Sequence, residues 1–184
     1  MLTKPFTIIA ILTLMLALLA SIALGKVYSN KEEALRRAFP DAETIETTNL
    51  YLSEQEMENV ARASGVKPDS ALYAFYVGKK NNKVTGYAAI EAATVRTLPE
   101  TVIVVLQPDG SVRHTEILAF FEPEEYKPPK RWLDQFPGKK LSSQLRIGGE
   151  IQGITGATLS AQAITRQVRK TAAILKILIG KNNK

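Results

Sequence analysis

The stretch 71-ALYAFYVGKKNNKVTGYAAIEA-92 decides the fold. Two runs rich in aromatic and β-branched residues, 71–77 and 84–92, flank a polar turn at 78–82, which is the pattern of a β-hairpin. A second pair follows the same design: TVIVVL at 101–106 and SVRHTEIL at 111–118 flank Gln107-Pro108-Asp109-Gly110. Two consecutive hairpins predict a mainly antiparallel sheet.

Helical signals lie on either side of the hairpins. Ser29 and Glu32 have capping-box spacing and predict a helix to about Phe39, stopped by Pro40. Ser53 and Glu56 repeat the device for a helix to about Ala63, ended by Gly65. Pro128 and Pro129 lead into a short helix over 130–136, closed by Pro137-Gly138. From Ser160 the apolar positions Ile164, Val168, Ala172, Leu175 and Leu178 advance by four or three and form one helix face, with Arg166, Arg169, Lys170 and Lys176 largely elsewhere. The expected fold class is therefore α+β, a mainly antiparallel sheet with packed helices.

Residues 5–25 carry no charge, and 21 residues of helix reach about 31 Å, enough to cross a bilayer. A retained single transmembrane helix is the expectation, with a cleaved signal peptide, for which Ala23-Leu24-Gly25 offers a small-x-small site, as the competing reading. The chain divides accordingly into an N-terminal membrane segment, 1–27, and a domain, 28–184. Lys26, Lys31, Arg36 and Arg37 follow the apolar run and only Lys4 precedes it, so the positive-inside rule taken alone would leave the domain in the cytoplasm.

The chain of 184 residues has no cysteine, which excludes disulfides, iron–sulfur clusters and thiolate zinc sites. Its single histidine, His114, reads as a surface strand residue, so neither a multi-histidine metal site nor a histidine-paired hydrolase is expected. Redox chemistry here would need a bound organic cofactor. Charge is uneven: residues 1–125 hold 12 basic and 16 acidic side chains, and residues 126–184 hold 12 basic and 2 acidic. That basic third suits a solvated face, a phosphate-bearing cofactor or an acidic lipid surface. No aromatic residue follows Phe136 to interleave with it, which argues against nucleic acid.

The segment 149-GEIQGITGATLSAQAITRQVRK-170 places small and hydroxyl-bearing residues directly before the last helix. Free backbone N–H groups and the positive end of the helix dipole suit a phosphate there, although a simple cap explains the same residues. Thr155-Gly156-Ala157-Thr158-Leu159-Ser160, preceded by Trp132-Leu133-Asp134-Gln135-Phe136-Pro137-Gly138-Lys139, resembles the [ST]-G-A-T motif of the FMN-binding domain family. That family includes the C subunit of sodium-pumping NADH:quinone reductase and the G subunit of Rnf-type electron-transport complexes. The likeness in order of elements runs from Gly86 to about Val168, roughly half the chain, and Glu122-Pro123 sits where many members carry an acidic residue and a proline before the flavin loop.

The resemblance implies an FMN-binding α+β domain on a single membrane anchor. The last threonine of the motif, here Thr158, would be esterified to the FMN phosphate by a flavin transferase, with Thr155, Gly156, Ala157, Leu159 and Ser160 around it and Glu122 nearby. It further implies an electron-transfer relay with redox partner proteins in a bacterial inner membrane, the domain facing the extracytoplasmic side. One position departs from the family pattern, which has Asp three residues before the first Ser or Thr, because this chain has Gln152. An amide there removes a proton acceptor or metal partner during attachment, so FMN binding and the covalent bond are separate expectations. No G-x-G-x-x-G fingerprint for a pyridine nucleotide occurs. Trp132, Tyr126 and Phe136 are expected in ordinary packing rather than against a flavin ring. A flavin-free adaptor at the membrane surface and a flavin-dependent reductase of a diffusible substrate are the rival functions.

Overall fold

The structure is a computed structural model and describes residues 25–182. Apart from Gly25, the apolar run at 5–25 that is expected to span a membrane lies outside those residues. Among the described residues, no helix is long and apolar enough to cross a membrane.

Six strands form one antiparallel sheet in the order β1-β6-β5-β4-β3-β2. They are β1 (Lys26–Val27), β2 (Thr44–Tyr51), β3 (Leu72–Lys80), β4 (Lys83–Thr94), β5 (Pro99–Leu106) and β6 (Val112–Phe120). From β2 to β6 each strand pairs with its sequence neighbour, and only β1 joins from afar, Lys26 opposite Phe120. Both predicted hairpins are present, the first with a shorter turn than expected. Asn81 and Asn82 take φ of 49° and 60°, so β3 and β4 meet in a two-residue turn and residues 78–80 belong to the strand. Asparagine tolerates this left-handed backbone, which matches the twist of the flanking strands.

One face of the sheet carries most of the core. The helices α2 (Glu54–Ser64) and α4 (Thr158–Asn182) pack on it, with the short α3 (Lys130–Leu133) beside them. Ile164, Val168, Ala172, Leu175 and Leu178 of α4 are all buried against Phe75, Val102 and Val104. The other face is covered only in part, by α1 (Lys31–Ala38), whose Ala34, Leu35 and Ala38 meet Ala88, Ile103 and Val105. Gly78 makes room for that helix, since a Cβ there would stand 2.5 Å from the Phe39 ring.

Helix ends follow their caps. Ser53 and Glu56 form the complete capping box at α2, which ends at Gly65 with φ of 71°. At α1 the cap is Asn30, whose side chain accepts from the Glu33 N–H at 2.9 Å, and not Ser29. Ser29 instead receives a hydrogen bond from Arg37 at 2.7 Å. The predicted helix at 130–136 is helical only to Leu133, and a turn then carries the chain to Gly138. Lys170, assigned by its spacing to the polar side of α4, is buried. Its ammonium lies 3.0 Å from Glu91 and 3.1 Å from Asp69, so the charge is neutralised inside the fold. Arg169 donates to the carbonyls of Ser64, Ser142 and Leu145 and ties α4 to two loops.

Candidate functional site

The segment ahead of α4 is held from below. Trp132 and Phe136 sit in the core, edge to face at 5.4 Å. The Trp132 indole N–H donates to the Gln152 carbonyl at 2.7 Å, and the Gln152 N–H donates to Gln135 at 2.8 Å. Residues 153–156 then rise to the surface, and Gly156 turns the chain at φ of 86°, a backbone that favours glycine. A Cβ at Gly156 would meet nothing within 4 Å, so the glycine serves the turn and leaves the space above it open.

Ala157 is buried, and α4 begins at Thr158. Thr158 is exposed, and its hydroxyl donates to the Ile154 carbonyl at 3.2 Å. The Ser160 hydroxyl is buried and donates to the Tyr126 carbonyl at 2.6 Å. Among the described residues, the first N–H of α4 with a backbone partner is that of Ala161, which donates to Ala157 at 2.9 Å. Among the described residues, no side chain caps the N–H groups of Thr158, Leu159 and Ser160, at the positive end of a 25-residue helix.

These residues line a recess of about 160 Å³ with Val95, Arg96 and Tyr126. Arg96 lies over the Tyr126 ring, 5.4 Å from its centre. Glu122 does not line the recess. One of its carboxylate oxygens accepts the N–H groups of Arg96, Thr97 and Leu98 at 3.0, 2.7 and 2.9 Å, and these bonds hold its pKa below the ordinary value. Glu122 thus fixes the turn between β4 and β5 and sets Arg96 at the rim. Of the expected residues, Gly156, Ala157, Thr158, Leu159 and Ser160 meet in one recess, Thr155 flanks it exposed, and Glu122 acts from behind it. Arg96 has no signal of its own in the sequence, because only the fold carries its turn to the head of α4.

Such a recess suits an anion: three free donors, a helix dipole and one guanidinium converge on it. Its size admits a phosphate and the start of a chain, whereas sites enclosing whole drug-sized ligands measure about 300–1,000 Å³. A larger cavity, about 700 Å³, lies along β6 between Tyr28, His114 and Leu133. Its charges are matched within the fold: Arg37 pairs with Glu116, Lys127 with Glu124 and Lys130 with Asp134. Size favours that cavity and unmatched polar groups favour the recess at Thr158, and recognition depends on the unmatched groups. Among the described residues, no group of three or more histidine, aspartate or glutamate side chains is placed to hold a metal ion.

Fold and site together define an α+β domain with a small recess at the head of a long helix. The chain is similar to the G subunit of the Na(+)-translocating ferredoxin:NAD(+) oxidoreductase complex of Acetobacterium woodii, with 27% identity over 135 residues. The match covers 67% of this chain and 65% of that protein. That relative is by name a component of an ion-translocating oxidoreductase complex. No protein-family profile matches the chain.

Proposed function

We propose that the chain is a membrane-anchored electron-transfer subunit that carries FMN as a phosphoester on Thr158. The observation that carries this reading is the exposed Thr158 hydroxyl at the head of α4, beside uncapped N–H groups and Arg96. The similarity to a component of an oxidoreductase complex supports a role in a membrane redox system.

The residues of the recess fit this chemistry. A phosphodiester keeps one negative charge, which the N–H groups of Leu159 and Ser160, the helix dipole and the Arg96 guanidinium stabilise. Gly156 lets the loop turn without a side chain over the linkage, and Ala157 closes it from below. Glu122 keeps the 96–98 turn, and so Arg96, in place. Bound FMN supplies one- and two-electron transfer, and the protein supplies position and electrostatics. Donor and acceptor are redox partner proteins. Residues 1–27 anchor the domain 28–184 on the extracytoplasmic side of a bacterial inner membrane, where a flavin transferase attaches the cofactor.

Intact-mass spectrometry of the full chain, co-expressed with a transferase, tests this. The wild type is expected to carry an FMN phosphoryl adduct on a peptide containing Thr158. Thr158→Val keeps the branched shape, removes the atom that is linked, and is expected to lose the adduct completely. Gln152→Asp is expected to raise the modified fraction. FMN that copurifies without an adduct would leave the pocket and remove the ester, and a chain with neither would overturn the reading.

A further inference from the structure

Among the described residues, β2 has no strand beyond it and forms an open end of the sheet. The Leu52 N–H donates to Ala71 at 2.8 Å, toward β3, and the register of β2 on β3 runs unbroken from Thr44/Lys79 to Tyr51/Leu72. In an antiparallel ladder the N–H and C=O of one residue point the same way and alternate along the strand. Leu50, Thr48, Glu46 and Thr44 therefore face β3, and Tyr51, Asn49, Thr47 and Ile45 face outward. The Tyr51 C=O agrees, because it accepts from Lys181 at 2.9 Å on the outer side. The main-chain groups of Ile45, Thr47 and Asn49 have no partner among the described residues. Proteins blunt such edges with lysine, proline or a bulge. The eight residues TIETTNLY contain neither lysine nor proline, and their pairing with β3 has no bulge. Their one charge, Glu46, is held by Lys79 at 2.6 Å.

The side chains at this edge are apolar where solvent reaches them. Ile45 and Tyr51 alternate with the buried Leu50, so they lie on the face that α1 covers only in part. They are 38% and 70% exposed, and Leu72, which pairs with Tyr51 from β3, is 58% exposed. Among the described residues five large hydrophobic side chains are exposed, and these are three of them, which makes the edge the one place where they gather. The pairing of β3 with β4 ends at Tyr76/Ala88, so residues 72–75 splay from β4 and hold only β2. The outer ribbon thus stands free on one side and on one face.

We propose that the β2 edge pairs antiparallel with the β2 edge of a second copy of this chain, about a two-fold axis at Thr48. Outward residues must meet outward residues, so the possible registers place the axis at Thr47, Thr48 or Asn49. With the axis at Thr48, Ile45 lies opposite Tyr51 of the second copy, Thr47 opposite Asn49, and Glu46 opposite Leu50. Leu72, Tyr51 and Ile45 of the second copy then form one apolar row across three strands, and symmetry makes the row twice. No like charges meet. An axis at Thr47 sets Tyr51 against Glu43, and an axis at Asn49 sets Ile45 against Ser53, so either shift disperses the apolar side chains. The pairing is isologous and uses up both edges, so it closes at two copies. It is independent of the FMN reading.

The test uses the full chain in detergent, over a series of concentrations. The chain has no cysteine, so a single introduced one reports one position. Thr48 would meet its own counterpart in a non-hydrogen-bonded pair, where Cα atoms lie about 4.5 Å apart and a disulfide can form. Thr48→Cys is expected to oxidise to a covalent dimer. Thr44→Cys is expected to stay monomeric although Thr44 is the more exposed of the two, because it lies opposite Leu52 of the second copy. Thr47→Pro removes an outward N–H and leaves the ladder to β3 intact. It is expected to weaken self-association about tenfold in sedimentation velocity, and Ile45→Lys to act in the same direction, with circular dichroism checking that each variant folds. Equal cross-linking at 44 and 48, or a dimer unchanged by both Thr47→Pro and Ile45→Lys, would overturn the proposal. A wild type that stays monomeric throughout the series would overturn it too and leave the edge to a strand of another protein.

Discussion

Two glutamates on neighbouring strands face the same helix and live in different ways. Glu91 on β4 is 8% exposed and meets Lys170 at 3.0 Å, with Asp69 on the other side of the ammonium. Glu100 on β5 is 0% exposed, and among the described residues neither of its carboxylate oxygens has a hydrogen-bond partner. Burial pushes the Glu100 carboxyl up to about 8, opposed by Arg166. Burial also raises the Glu91 pKa, and Lys170 pulls it part of the way back. Lys170 is itself held above its ordinary value, because its two carboxylate neighbours outweigh the burial that acts against its charge. A buried acid can find a cation or keep its proton, and these two regions show both solutions within one layer of the core.

The largest expected effect lies with Glu100. Below about pH 4.5 its carboxyl is protonated in the folded and unfolded chain alike and contributes nothing. As pH rises toward 8 the folded chain keeps a proton that the unfolded chain has lost, so stability falls through that window and levels off above it. The fall is on the order of 5 kcal/mol. Urea unfolding at a series of pH values is expected to show it in the wild type and to find it gone in Glu100→Gln. A wild-type curve flat from pH 5 to 8 would show that Glu100 has a partner after all.

Lys170→Met comes next, at a cost of about 3 kcal/mol, because it leaves Glu91 buried without a cation. The double variant Lys170→Met with Glu91→Leu is expected to recover most of that loss, which would separate the cost of an orphaned charge from the net worth of the pair. Failure to recover would mean that the ion pair itself stabilises the splayed end of β3 and β4. The smallest effect is that of Tyr73→Phe. The Tyr73 hydroxyl donates to Asp69 at 2.9 Å, and its loss is expected to cost about 1 kcal/mol by freeing the outer carboxylate. Equal effects of Tyr73→Phe and Lys170→Met would erase the distinction between the exposed and the buried carboxylate.

Periodicity reveals what repeats and misses what does not. The hairpins, the Ser53 capping box and the buried stripe of α4 are all legible, because each rests on spacing within one element. The edge strand β2 is not, since only Leu50 of its eight residues is buried and TIETTNLY shows no apolar alternation. Lys170 and Glu100 look like surface residues in a window of sequence, and only the packing of α4 on the sheet encloses them. The hexapeptide 155–160 stands out through its resemblance, and five of its residues do meet in one recess. Arg96 cannot be found that way, because its place depends on three hydrogen bonds to Glu122 from a turn far away in the chain.

The cover of the main core is the last described element. Strands β2 to β6 form a meander of local pairings, which assembles quickly. Their inner face, with Phe75, Val102 and Val104, nevertheless stays open until α4 arrives, and α2 from the first third of the chain waits for the same partner. During synthesis the growing chain therefore presents a finished sheet with one bare apolar face for as long as residues 158–182 are unmade. The helix that carries Thr158 at its head is thus also the element whose arrival closes the main core, so the recess and the closed sheet are completed by the same segment.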